Sequence, residues 1–180
     1  MSGVSPVRVL VVMGVSGAGK STVGMLLARR LGWEFVEADD FHSAHNIALM
    51  KAGHPLTDAD RAPWLQAIAA HLDELRRARK CAVLACSALK KSYRDILRGS
   101  HRDVRFVYLK VERDVLVRRL KERHGHFMPL ALLDSQLATL EEPTAAEDAI
   151  ILPATGHPDT TLSAVLQALS FLENSASPPR

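Results

Sequence analysis

Short apolar runs alternate along the chain with longer stretches in which apolar residues recur every three or four positions. The runs are Val7–Met13, Glu34–Ala38, Cys81–Cys86, Val104–Val111 and Ala149–Leu152. Val9, Leu10, Val11 and Val12 are unbroken, as expected of a central strand buried on both faces. Between the runs, Lys20–Leu31 carries Val23, Leu26, Leu27 and Leu31 at helical spacing. Pro63–Arg79 carries Leu65, Ile68, Leu72 and Leu75 on one stripe, and its basic end suits the helix dipole. Leu89–Leu97, Asp114–Arg123, Leu130–Leu140 and Thr160–Leu172 complete the expected helices. Strands alternating with helices predict an α/β fold around a parallel sheet. There is no internal repeat and no interdomain linker. One domain is therefore expected over residues 1–173, followed by a disordered Ser- and Pro-rich tail, Asn174–Arg180.

Composition narrows this. The 180 residues are 47% apolar and 24% charged, the mix of a globular protein with a buried core. The net charge of +3 is spread over interleaved acidic and basic residues, which argues against a nucleic-acid partner. A modest basic bias suits a site that attracts anionic ligands. The two cysteines, Cys81 and Cys86, are about 16 Å apart if their run is a strand, beyond disulfide reach. They read as reduced and buried. Val9–Met13 is too short for a membrane span, no signal peptide is evident, and a cytoplasmic setting is expected.

The first chemistry lies where the first strand ends. Gly14-Val15-Ser16-Gly17-Ala18-Gly19-Lys20-Ser21 matches G-x-x-x-x-G-K-[ST] in full, and Thr22 follows. The glycines let successive backbone N–H groups turn toward a phosphate chain. Lys20 can reach the β- and γ-phosphates, Ser21 can coordinate Mg²⁺, and the next helix points its positive end at the same anions. Chance would produce the pattern in on the order of one such chain in a hundred or fewer. With a buried strand before it and a helix after it, the loop predicts a nucleoside triphosphate site.

A guanine-reading N-K-x-D segment is missing, and Ala82–Cys86 runs into Ser87 rather than the Asp of a Walker B strand. That leaves the small kinases, in which phosphoryl transfer depends on positioning and charge stabilisation. After the Gly/Lys loop come Ala38-Asp39-Asp40-Phe41-His42, then Asn46-Ile47 and Met50. Gly53-His54-Pro55-Leu56-Thr57-Asp58-Ala59-Asp60-Arg61-Ala62-Pro63-Trp64-Leu65 follows. Further on are Cys86-Ser87-Ala88-Leu89-Lys90-Lys91, Tyr93-Arg94-Asp95, Gly125-His126-Phe127-Met128 and Ser135-Gln136. Together these segments resemble the bacterial-type gluconokinases over nearly all of residues 9–172. The resemblance implies ATP-dependent phosphorylation of D-gluconate to 6-phosphogluconate, feeding carbohydrate catabolism. It also implies a shikimate-kinase-like P-loop fold with a five-stranded sheet in order 2-3-1-4-5 and a helical lid, Mg²⁺, and a homodimer. Glu37 stands where relatives often carry Asp. The rival readings are a shikimate-kinase-like or nucleotide kinase with another acceptor, and a nucleotide-binding regulator without transferase activity.

Several residues carry both a local and a functional reading. Asp39 and Asp40 fall just past the carboxyl end of a strand, the edge where open α/β sheets bind ligands. Asp39 is the candidate base for the substrate hydroxyl, and Asp40 the candidate cap for a helix starting near Ser43. His42 and Asn46, four apart, can face a polyol together or form a solvated face. Arg61 either pairs with a neighbouring carboxylate at a helix start or forks onto the substrate carboxylate, the role implied by the resemblance. Trp64 reads as core. Ser87 opens a segment able to meet an anion, while Lys90 and Arg94, four apart, are either a solvated face or, for Arg94, a ligand contact. Gln136 joins the substrate residues through the family motif. Arg119 and Arg123 share a helix face, and the resemblance casts them with Lys20 as the cations that meet the transferring phosphoryl group as a lid at His124–Pro129 closes. The local alternative is a basic helix end paired with Glu112 and Glu122. The loop from Pro153 to Pro158 is an adenine wall in similar kinases, and otherwise a turn.

Overall fold

A computed structural model of the chain describes residues 6–122 and 130–175. Five strands form one parallel sheet: β1 Val9–Met13, β2 Glu34–Glu37, β3 Ala82–Ala85, β4 Val104–Lys110 and β5 Ile150–Pro153. Their order is β2-β3-β1-β4-β5, as the resemblance implied. β1 is paired on both sides, Val11 lying beside Leu84 of β3 and Phe106 of β4.

That central position explains why β1 is continuously apolar. Val9, Val11 and Met13 enter a core layer with Trp64, Leu65, Ile68, Leu72 and Phe106. Leu10 and Val12 point to the other face and pack with Val23, Leu27, Leu116, Leu133 and Val165. Every residue of the strand is buried, and side chains alternate between the two layers.

The helices are α1 Lys20–Leu31, α2 Ala44–Lys51, α3 Asp58–Arg77, α4 Lys91–Arg98, α5 Arg113–Glu122, α6 Leu130–Thr139 and α7 Pro158–Ser175. Short 3-10 turns occupy Ala38–Phe41 and Ala145–Glu147. α3 starts earlier than Pro63, because Thr57 and Asp60 cap each other reciprocally. The Asp60 N–H donates to Thr57 Oγ1 at 3.2 Å, and the Thr57 N–H donates to Asp60 Oδ2 at 2.8 Å. α7 runs to Ser175, so Asn174 and Ser175 belong to the helix rather than the expected tail. The rest of that tail, and the expected lid at His124–Pro129, lie outside the described residues.

Cys86 is buried, and burial pushes its thiol up to about 12, whereas Cys81 is half-buried rather than buried. No helix among the described residues is long and apolar enough to cross a membrane.

Candidate active site

The carboxyl ends of β1, β2 and β3 open onto one crevice. β1 leads into the Gly/Lys loop, β2 into Asp39, and β3 into Ser87. The chain leaves β1 toward β2 and β3 on one side and reaches β4 and β5 on the other, so the loop stands at the switch point where such sheets bind ligands.

Gly14 has φ +143°, and a Cβ there would meet the Leu109 carbonyl oxygen at 3.0 Å and Ala18 Cβ at 3.2 Å. Only glycine lets the loop pass this close to β4. Gly19, at φ +97°, caps α1 without a side-chain hydrogen bond, and no acidic residue occupies the first turn. The amides at this helix start are thus left to an anion. Lys20 heads the helix with its Nζ 3.2 Å from the Val15 carbonyl.

Near Ser21, at the end of β2, is Glu37, whose ionised form the Ser21 hydroxyl favours. Burial, with Asp39 and Asp40 adding to it, pushes the Glu37 carboxyl above its ordinary range against the pull of Ser21 and Lys20. A hydroxyl and crowded carboxylates beside a phosphate cradle are the oxygen donors that a hard cation such as Mg²⁺ prefers. Among the described residues, no cluster of three or more His, Cys, Asp or Glu could hold a metal on its own.

Asp39 is largely exposed, with its Oδ1 3.9 Å from His42 Nε2. Its charge acts on Glu37, His42 and Cys86, whereas that of Asp40 acts on Glu37. Asp39 is therefore the exposed carboxylate that stands beside His42. Asp40 does not cap α2, because Ser43 accepts the Asn46 N–H at 3.1 Å.

His42 and Asn46 do meet, with Asn46 Nδ2 3.5 Å from His42 Nδ1, but Asn46 is buried and the half-buried His42 has its side chain only 5% exposed. His42 stacks on Trp64 with ring centroids 4.4 Å apart, and Asn46 Nδ2 donates to the Asp60 carbonyl at 2.9 Å. Trp64 Nε1 donates to the Ala38 carbonyl at 2.7 Å. Trp64 is core, as expected, and it also fixes the turn that carries Asp39.

Arg61 Nη1 donates to the Leu56 carbonyl at 2.5 Å and lies 3.4 Å from the Tyr93 hydroxyl. It does not pair with a neighbouring carboxylate in this arrangement. The Arg61 guanidinium and Lys90 Nζ each sit 5.7 Å from the Tyr93 ring centroid. Asp58 accepts from Lys90 at 2.7 and 2.9 Å and from the Tyr93 hydroxyl. Asp58 and Asp60 both act on Arg61, and Asp58 and Glu141 on Lys90, so the two cations stand among carboxylates. Sequence reasoning missed Tyr93 and the Asp58–Lys90 pair, which no local spacing signals because they are 32 residues apart.

The remaining candidates divide. The Ser87 carbonyl accepts the Gly14 N–H at 3.3 Å, which joins β3's loop to the cradle. Gln136 Oε1 accepts the Ser16 N–H at 2.8 Å, so Gln136 reaches the cradle itself. Arg119 also reaches it, but its guanidinium donates to the carbonyls of Gly17 at 3.3 Å and Ala154 at 2.6 Å rather than standing free over the phosphates. Arg123 lies outside the described residues.

Arg94 corrects its solvated-face reading. It is 1% exposed and ion-paired with Glu147 at 2.6 Å, so it is no solvated face and its guanidinium is engaged within the protein.

The fold and the cradle together define a P-loop kinase. A family model described as an AAA domain matches residues 9–143. A gluconokinase of Gluconobacter oxydans (strain 621H) is 51% identical over 160 residues, 89% of this chain and 90% of the relative. The crystal structure of a gluconokinase from Sinorhizobium meliloti 1021 superposes with a TM-score of 0.84 at 42% identity, covering 94% of this chain and 97% of that one. A shikimate kinase of Bacteroides thetaiotaomicron, at 20% identity, TM-score 0.65 and coverage of 90% and 98%, shares the fold alone. The chain belongs to the gluconokinase family.

Proposed function

We propose that this chain transfers the γ-phosphoryl group of ATP to a hydroxyl of D-gluconate, giving 6-phospho-D-gluconate and ADP. One observation carries the reading beyond family membership. An anion cradle (residues 14–21) and an exposed carboxylate (Asp39) stand at the switch point, with Arg61 near enough to act on His42 beside Asp39.

Lys20 and the loop amides hold the β- and γ-phosphates and offset the charge that develops on the transferring group. Asp39 accepts the proton of the attacking hydroxyl as the new P–O bond forms and the bond to the ADP oxygen breaks. Arg61, with Nη1 fixed by Leu56, presents its remaining edge to the gluconate carboxylate. His42, Asn46, Ser87 and Gln136 shape the acceptor wall. Mg²⁺ belongs to the same proposal. Ser21 would hold it, with Glu37 beside it, and when bound it screens the phosphate charge. A homodimer in the cytoplasm is likewise proposed, on the family resemblance.

Product analysis tests the reading. Incubation with ATP, Mg²⁺ and gluconate should yield ³¹P and ¹³C NMR signals of a phosphomonoester on the terminal carbon of gluconate. A phosphoryl group on any other carbon, or none, would refute the assigned reaction.

A further inference from the structure

Segment 86–90 follows the end of β3 beside the cradle, and its backbone is unusual. Ala88 has φ +44° and is fully buried. An L-residue with a Cβ is disfavoured in this left-handed region. Such residues persist only where the surroundings over-determine them, and they cluster at functional sites.

One guanidinium dominates the surroundings. Arg94 Nη1 donates to the carbonyls of Ala88 at 3.0 Å, Leu89 at 3.1 Å and Glu141 at 2.9 Å. Its Nε and Nη2 donate to the Glu147 carboxylate at 2.6 and 3.0 Å. Glu147 is fixed in turn by the Thr144 N–H at 3.1 Å and by Arg98, which donates to its carbonyl at 2.7 Å. Glu141 donates its own N–H to the Leu89 carbonyl at 2.8 Å and accepts the Lys91 N–H at 2.7 Å. On the opposite flank, the Ser87 carbonyl takes the Gly14 N–H. The segment is thus tied to the first residue of the cradle on one side and to a buried ion pair on the other. Well-packed apolar residues often stabilise a core as well as such a pair does, so stability alone does not account for it. A rigid guanidinium fork holds three carbonyls in a set geometry, which an apolar side chain cannot do.

We propose that Arg94 is a positioning residue. Through Glu147 and the three carbonyls it holds Ala88 in its left-handed conformation, so that Ser87–Lys90 form a rigid acceptor-side wall next to the cradle. Lys90, which closes the corner with Asp58, Tyr93 and Arg61, takes its place from this wall. The quantity the device sets is affinity for the acceptor rather than for the nucleotide. The inference rests on the reading that the crevice takes gluconate.

Two variants of the full chain test it. Arg94→Lys keeps a charge beside Glu147 and loses the fork that holds the three carbonyls. Arg94→Lys/Ala88→Gly adds a residue that takes the left-handed conformation without that hold. Both are expected to melt cooperatively and to bind a fluorescent ATP analogue within about twofold of the parent. The KM for gluconate should rise at least about fivefold in Arg94→Lys and return to within about twofold of the parent in the double variant. An unchanged gluconate KM in Arg94→Lys, no recovery in the double variant, or equal losses of nucleotide and gluconate affinity overturns the proposal. If Arg94→Lys does not fold, Glu147→Gln, which loosens the grip on the guanidinium, decides alone by the same rise in KM. Absence of gluconate turnover in the parent would refute the activity and the wall together. Turnover in the parent with unaffected variants refutes only the wall.

Discussion

Asp39 and Arg61 carry opposite charges on one crevice and have different tasks, so conservative changes should separate them. Asp39→Asn keeps the size and removes the base. It should lower kcat about a hundredfold or more and leave the gluconate KM within about threefold. Arg61→Lys keeps the charge and loses the planar fork, so it should raise that KM about tenfold with little change in kcat. Steady-state kinetics decide, and variants that lose only thermal stability would return both residues to local structural roles. Lys20→Ala should stay folded and lose about 2.7–4 kcal/mol of transition-state stabilisation, roughly a hundred- to thousandfold in rate. His42 offers a pH test. Burial, helped by Arg61 and opposed by Asp39, holds the imidazole below its ordinary value. A group whose pKa falls on folding supports stability above its unfolded pKa, about 6.5 for His. That support is lost as the pH drops and the unfolded chain takes up a proton that the fold resists. His42→Gln should therefore show a smaller fall in Tm between about pH 7.5 and 5.5 than the parent. Equal falls would mean that His42 is protonated in the fold.

At the scale of elements, α3 connects packing to the site. Its capping box fixes the first turn, which places Asp58 and Arg61, three residues apart, side by side against Tyr93. Thr57→Ala removes the reciprocal cap and should cost about 1 kcal/mol, or about 2–4 °C in Tm. A variant that melts like the parent would show that tertiary packing alone sets this end of the helix. The same helix shows where sequence reading stops. Pro63 is a strong start signal, yet Thr57 and Asp60 begin the helix earlier, with Asp in the place usually held by Glu or Gln. Arg94 was misread for a different reason. Its spacing from Lys90 suggests a solvated face, but it shares the buried side of α4 with Tyr93 and Leu97, and its partner Glu147 is 53 residues away. Strand β1 and the Gly/Lys loop were legible because their signals are contiguous. The contact between Gln136 and Ser16 spans 120 residues and leaves no local trace.

Across the whole molecule, a sheet buried on both faces gives the site rigid walls, and its strand order puts the cradle and the Asp39 carboxylate at one edge. The central claim is that this edge joins ATP to gluconate and to no other common acceptor. ADP release measured with gluconate, shikimate, other sugar acids and nucleoside monophosphates tests it directly. Rapid, Mg²⁺-dependent release is predicted with gluconate alone, and equal or faster turnover of shikimate or any nucleotide would contradict the account.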